Sequence, residues 1–155
     1  MNKSMITRIA VGAAVVAAGT LSSVTTASAA NYGGPIEIGM RCVGLSPNIV
    51  DLPYSGTLHG THGGDLWSGR PAVAVNMGGS IWGYGTHPTL TWTNLATGAS
   101  GTVTAHGQAG PFFPTDTSFG QLPTGTGPVR FDLSVVNTGL VPVPAITCSG
   151  TTEIR

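Results

Sequence analysis

The chain has 155 residues, of which 8% are charged and 41% hydrophobic, with six Lys or Arg balancing six Asp or Glu. Once Lys3 and Arg8 of the amino-terminal segment are set aside, four arginines (Arg41, Arg70, Arg130, Arg155) face six acids (Glu37, Asp51, Asp65, Asp116, Asp132, Glu153), a net charge of −2. Four scattered cations cannot displace counterions along a phosphate backbone, which excludes nucleic acid as a partner, and they give no grip on an anionic membrane surface.

The first 29 residues have the order of a secretory signal peptide. Lys3 and Arg8 supply a positive start, residues 9–21 form an uncharged apolar run, and Ala27-Ser28-Ala29 forms a small-residue cleavage site. The run is too short and too rich in Gly, Ser and Thr for a membrane span, which needs about 20 apolar residues. Cleavage there predicts a secreted protein with no stable membrane insertion afterwards. Residues 30–155 are then about the size of one compact domain. The chain has two cysteines, Cys42 and Cys148, and export to an oxidising compartment predicts that they bridge. A bridge closing a loop of about 105 residues is assigned roughly 4–5 kcal/mol by the chain-entropy model.

No window of this domain has a helical apolar period, and Gly or Pro interrupts most windows of ten; period two recurs instead. In PIEIGMRCV, Ile36, Ile38, Met40 and Cys42 share a face, with Glu37 and Arg41 opposite. Next comes TLHGTHGGDLW, whose His59, His62 and Asp65 are ligand types accepted by zinc or copper. On a strand, residues three apart point to opposite faces, so the histidines converge only if the chain turns between them. The spacing fits neither the helical nor the zinc-finger pattern, and a polar turn with Asp65 bonded to nearby amides is the preferred reading.

In PAVAVNM, Val73, Val75 and Met77 alternate with smaller or polar residues. In GGSIWGYGTHP, Trp82 and Tyr84 lie two apart and would share a strand face. With Trp67 they form a candidate sugar-stacking platform; the alternative is that the rings cover the end of the core.

The clearest hairpin is PTLTWTNLATGASGTVTAHG. A four-residue loop over 96–99 with Gly98 in a left-handed conformation pairs Leu95 with Ser100, Trp92 with Val103 and Leu90 with Ala105. Threonines then line the wet face. In that register His87 and His106 are diagonal neighbours, with α-carbons roughly 7–8 Å apart, a geometry compatible with a weak surface metal site.

Residues 107–128 are too rich in Gly and Pro to read as regular structure. They predict a long loop tethered to the core by Phe112, Phe113 and Phe119. VRFDLSVV then places Phe131, Leu133 and Val135 on one face. VNTGLVPVPAI, with Pro142 and Pro144, belongs at a sheet edge, and AITCSG puts Ile146 and Cys148 on a shared face.

Short strands, frequent turns and no helix predict an all-β fold, a single immunoglobulin-like β-sandwich of about seven or eight strands. The signal peptide, the TLTWTNLATGASGTVTA hairpin, the GTGPVRFDLSV strand and the terminal Cys148 strand together resemble small secreted actinobacterial proteins of immunoglobulin-like sandwich type. The resemblance implies a fold and an extracellular location, and carries over no functional residue. The chain departs from antibody-type domains, because no tryptophan lies a dozen residues after Cys42 and the cysteines are too far apart for the usual central bridge.

No G-x-S-x-G elbow occurs, the thiols are committed to the bridge, and the six acids are dispersed. The expectation is a secreted, non-catalytic structural or interaction domain of the bacterial envelope or medium. It needs no cofactor, and its partner is an unidentified envelope or extracellular protein or glycan. Carbohydrate binding through Trp67, Trp82 and Tyr84 is the alternative, followed by metal binding at His59, His62 and Asp65.

Overall fold

The computed structural model describes residues 33–64 and 67–155; the expected signal peptide lies outside them. Nine strands form two antiparallel sheets, and no α-helix occurs among the described residues. The first sheet has the order β1-β2-β3-β7, with β1 Pro35–Gly44, β2 Tyr54–Thr61, β3 Ala72–Met77 and β7 Thr115–Gln121. The second has the order β5-β4-β8-β9, with β4 Tyr84–Asn94, β5 Ser100–Thr104, β8 Gly127–Thr138 and β9 Ile146–Ile154; the short β6, Gly107–Ala109, also pairs with β4. The expected β-sandwich is therefore formed.

Period-two alternation places the core. Ile36, Ile38, Met40 and Cys42 on β1, Val73, Val75 and Met77 on β3, Leu90 and Trp92 on β4, and Phe131, Leu133 and Val135 on β8 are all buried in one cluster between the sheets. Each strand therefore removes one apolar face from water, at about 25 cal/mol per Å² of surface. In β1 the pairing with β2 slips between Glu37 and Arg41, and Gly39 at a φ of 62° supplies the left-handed backbone that this bulge requires.

The sheets meet along two seams. At one, β9 lies against β1, and the bridge between Cys42 and Cys148 crosses it with α-carbons 5.5 Å apart. Gly150 makes the approach possible, because a Cβ there would stand 2.5 Å from the Ile38 carbonyl oxygen. At the other, β6 lies against β7, and a Cβ on Gly107 would overlap the Thr117 hydroxyl.

Three expectations are corrected. The stretch 107–128 is not one loop, since it contains β6 and β7. β7 is paired on one side only, to β3, and buries Thr117 alone, so its apolar alternation is too weak to read from sequence. Of its three phenylalanines only Phe119 packs on the core; Phe112 and Phe113 face solvent. The hairpin register is also displaced by two residues: Leu90 pairs with Val103, Trp92 with Gly101 and Thr93 with Ser100. Gly98 does adopt the left-handed conformation, with φ 74°. The turn starts earlier because the Asn94 side-chain oxygen accepts hydrogen bonds from the amides of Ala96 (2.9 Å) and Thr97 (3.1 Å), curling the chain before Leu95 can pair. A shift of two leaves every inward residue inward.

Candidate functional site

The strand directions put four connections at one end of the sandwich: residues 45–53, 78–83, 110–114 and 139–145. They are joined around Asp51. Its carboxylate accepts hydrogen bonds from the Ser46 hydroxyl (2.8 Å), the Asn48 carboxamide (3.1 Å), the Ser80 hydroxyl (2.6 Å) and the backbone amides of Ile81 (2.6 Å) and Leu52 (2.7 Å). Partial burial pushes this carboxyl up, but the hydrogen bonds from Ile81, Ser80, Ser46 and Leu52 outweigh burial and hold it well below the usual carboxylate range. Nearby, burial pushes the Tyr84 phenol up to about 12, with the Asp51 charge adding to the effect.

The remaining loops attach through backbone. Asn48 also donates to the Gly83 carbonyl (3.0 Å), the Phe112 amide donates to Ser80 (2.6 Å), and the Val141 amide donates to Pro47 (2.9 Å). Six of the chain's eleven prolines (Pro47, Pro53, Pro111, Pro114, Pro142, Pro144) stand in these four loops and restrict their backbones further.

What this framework presents is apolar. Leu45, Ile49, Val50 and Leu52 of the first loop, Trp82 of the second, Phe112 and Phe113 of the third and Leu140 of the fourth are all exposed, with Trp82 at 67%, Phe112 at 71%, Phe113 at 74% and Leu140 at 76%. Asp51 is the one charged residue in the four loops, and its oxygens are occupied. Val50 and Phe112 hold positive φ angles of 56° and 68°, a conformation that is strained for a β-branched or bulky residue and that the hydrogen-bonded surroundings maintain. The indole Nε1 of Trp82 donates to the Val50 carbonyl (3.1 Å), fixing the ring against the strained residue.

The residues singled out from sequence are dispersed. Tyr84 is only 7% exposed and belongs to the core cluster, so it offers no ring face. Trp67 lies in the connection between β2 and β3, at the opposite end from Trp82, and stands 5.8 Å from the Arg70 guanidinium. An eleven-residue strand spans roughly 35 Å, so Trp67 and Trp82 cannot stack on one sugar. The three-aromatic platform is not assembled.

His59 is exposed on the outer face of β2, opposite Glu37 on one side and Ala74 on the other. The chain stays extended through Thr61, and His62 follows beyond the strand, where its Nδ1 accepts a 3.5 Å contact from the Arg155 amide. Asp65 lies outside the described residues. No group of three or more His, Cys, Asp or Glu side chains suited to a metal occurs among the described residues. His87 and His106 do meet: in the corrected register they stand directly opposite one another, with their Nδ1 atoms 2.8 Å apart.

Among the acids, Asp132 is paired with Arg130 at 2.8 Å on the outer face of the second sheet, and Glu37 is on the outer face of the first. No helix of the described residues is long and apolar enough to cross a membrane. Comparison with protein-family models, curated proteins and solved structures finds no match.

Sequence reasoning missed the Asp51 hub. The only local signal was Ser46-Pro47-Asn48 leading to Asp51, a run of turn-forming residues; the donors that complete it, Ser80 and Ile81, come from a loop 29 and 30 residues away.

Proposed function

We propose that the chain is a secreted, non-catalytic interaction domain of the bacterial envelope or its surroundings, and that it docks to a protein partner through the loop end organised by Asp51. One observation carries this reading: exposed Leu, Ile, Val, Trp and Phe side chains from four different loops converge on one end of the sandwich, held by a framework of side-chain and backbone hydrogen bonds. Contiguous apolar patches on soluble domains mark interaction sites. A preformed surface loses little conformational freedom on binding, and aromatic side chains in its centre are the usual energetic anchors. The oxidised Cys42–Cys148 pair fits an oxidising extracellular environment, which supports export.

The chemistry of the end also favours one kind of partner surface. With its single charge internally satisfied, the surface matches a concave apolar patch rather than a charged one, and binding should be nearly independent of ionic strength. The test is capture from envelope extracts on immobilised protein, comparing wild type with a Phe112→Ser/Phe113→Ser/Leu140→Ser variant that keeps its melting temperature. The expected result is a partner retained by wild type through 0.5 M salt and lost by the variant. Equal retention by both, or a substrate turned over with no partner retained, overturns the reading. Glycan binding now rests on Trp82 alone, and a calorimetric titration with cell-wall polysaccharides that leaves its fluorescence unchanged removes it.

A further inference from the structure

His87 lies on β4, which is paired on both sides in the second sheet, and faces outward. His106 sits in the two-residue interruption between β5 and β6. That interruption has a local cause. Pro88 has no amide hydrogen to offer the neighbouring strand, and its carbonyl, which accepts from the Ala105 amide (2.9 Å), points to the same side. The register is nevertheless unbroken across the gap, since Thr89 pairs with Thr104 and Thr86 with Gly107, so the two imidazoles are brought face to face. Their ring centroids are 5.0 Å apart, their planes are inclined at 76°, and the two Nδ1 atoms share a hydrogen bond of 2.8 Å.

We propose that His87 and His106 form a surface site for a divalent late transition-metal ion, copper(II) ahead of nickel(II) and zinc(II). Metal–imidazole bonds are about 2.0–2.1 Å long. Two such bonds at a right angle separate the nitrogens by about 2.9 Å, and at a tetrahedral angle by about 3.4 Å. The existing 2.8 Å matches the nitrogen separation at adjacent corners of a square-planar or tetragonal ion. The 5.0 Å between ring centroids aims the two Nδ1 atoms almost at each other, so both exposed rings swing about their side-chain torsions to converge on one ion. The order of preference follows the intrinsic affinity of imidazole for these metals.

Proton balance is simple. The donor ring passes its Nδ1 hydrogen through solvent to its own exposed Nε2, leaving both Nδ1 lone pairs free for the ion. The surroundings select the same class of ion. The outward positions flanking the pair are Thr89 and Thr104 on one side and Gly85 and Gln108 on the other, with Val136 opposite His87 on β8. None carries a charge, so a hard oxygen-seeking cation finds no carboxylate there, and water completes the coordination.

The test uses tag-free protein, titrated with copper(II) by calorimetry and followed by electron paramagnetic resonance. The expected result is one ion per chain with two-nitrogen hyperfine structure, bound more tightly than zinc(II). His87→Gln and His106→Gln should each weaken binding by about tenfold or more, because either change removes the chelate. His59→Gln and His62→Gln should leave it unchanged. Both members of the pair are exposed, so near-ultraviolet circular dichroism will confirm that the variants keep the fold. Substoichiometric binding, unaltered affinity in His87→Gln or His106→Gln, or affinity that follows His59 or His62, overturns the proposal.

Discussion

At one end of the sandwich a carboxylate, Asp51, gathers hydroxyls, a carboxamide and backbone amides from two loops. At the other end a carboxamide, the fully buried Asn94, donates to the carbonyls of Thr124 (2.9 Å) and Thr126 (3.0 Å) and accepts from the amides of Ala96 and Thr97. Each hub is one side chain that ties distant loops together, and the difference follows from hydrogen-bond inventory. A carboxylate only accepts, so it recruits donors. A carboxamide does both, so it bridges a turn to a strand connection. The surfaces differ as well. The Asp51 end exposes eight large apolar side chains and no other charge, whereas the Asn94 end exposes Trp67, Leu95, Arg70 and Arg155 among threonines and glycines. One end thus presents an apolar surface and the other a polar one.

The comparison can be broken most severely at Asn94. Asn94→Asp replaces two donors by acceptors facing two carbonyls, and urea unfolding should show a loss of about 3–5 kcal/mol. Asp51→Ala should cost about 2–4 kcal/mol, because it strands the donors of Ser80, Asn48 and Ile81. Amide exchange should accelerate at 45–53 and 78–83 in that variant while residues 122–126 stay protected.

The two hubs must also differ in acid. The Asp51 carboxyl titrates lower in the folded chain than in the unfolded one, so its contribution is fully present above the ordinary carboxylate value of about 4. That contribution is lost as the pH falls toward the folded value. Stability measured from pH 7 down to about pH 3 should therefore fall more steeply in wild type than in Asp51→Asn. A parallel pair of profiles would show that the carboxylate is not the controlling group.

The buried polar atoms sharpen the comparison further. Among the described residues, the side chains of Tyr54, Thr86 and Asn137 keep buried oxygens or nitrogens without partners, and all three stand toward the Asp51 end of their strands. Thr86 and Asn137 are cross-strand neighbours. Asn137→Leu should raise stability by about 1 kcal/mol, measured as a higher urea midpoint, because it removes unsatisfied polar groups at similar volume. The smallest effect is expected at the surface: Phe112→Ser should change stability by less than about 0.5 kcal/mol while abolishing partner capture, and a large loss would assign Phe112 to the core instead.

Much of the fold was legible residue by residue. The inward faces of β1, β3, β4 and β8 follow from alternation, and the cysteine pair from there being just two thiols in a chain expected to be exported. β6 and β7 were not legible, because a three-residue strand and a strand burying one threonine carry too little apolar signal. The candidate site was legible only in fragments. Trp82 and the phenylalanines at 112 and 113 stood out as aromatics among glycines and prolines, but their common location depends on where four strands end. The histidine pair shows how a small geometric error matters. A register wrong by two residues preserved every face, yet it set His87 diagonal to His106 instead of opposite.

What the sequence determined by itself is which side of β1, β3, β4 and β8 is dry, since side-chain direction in an extended chain has period two and needs no partner to define it. It also determined that two thiols were available to close the domain. Only the tertiary structure decided which residues share an end, which loops Asp51 and Asn94 collect, and which aromatics face water. Those outcomes depend on strand order and register, and both are settled by contacts between residues far apart in the chain.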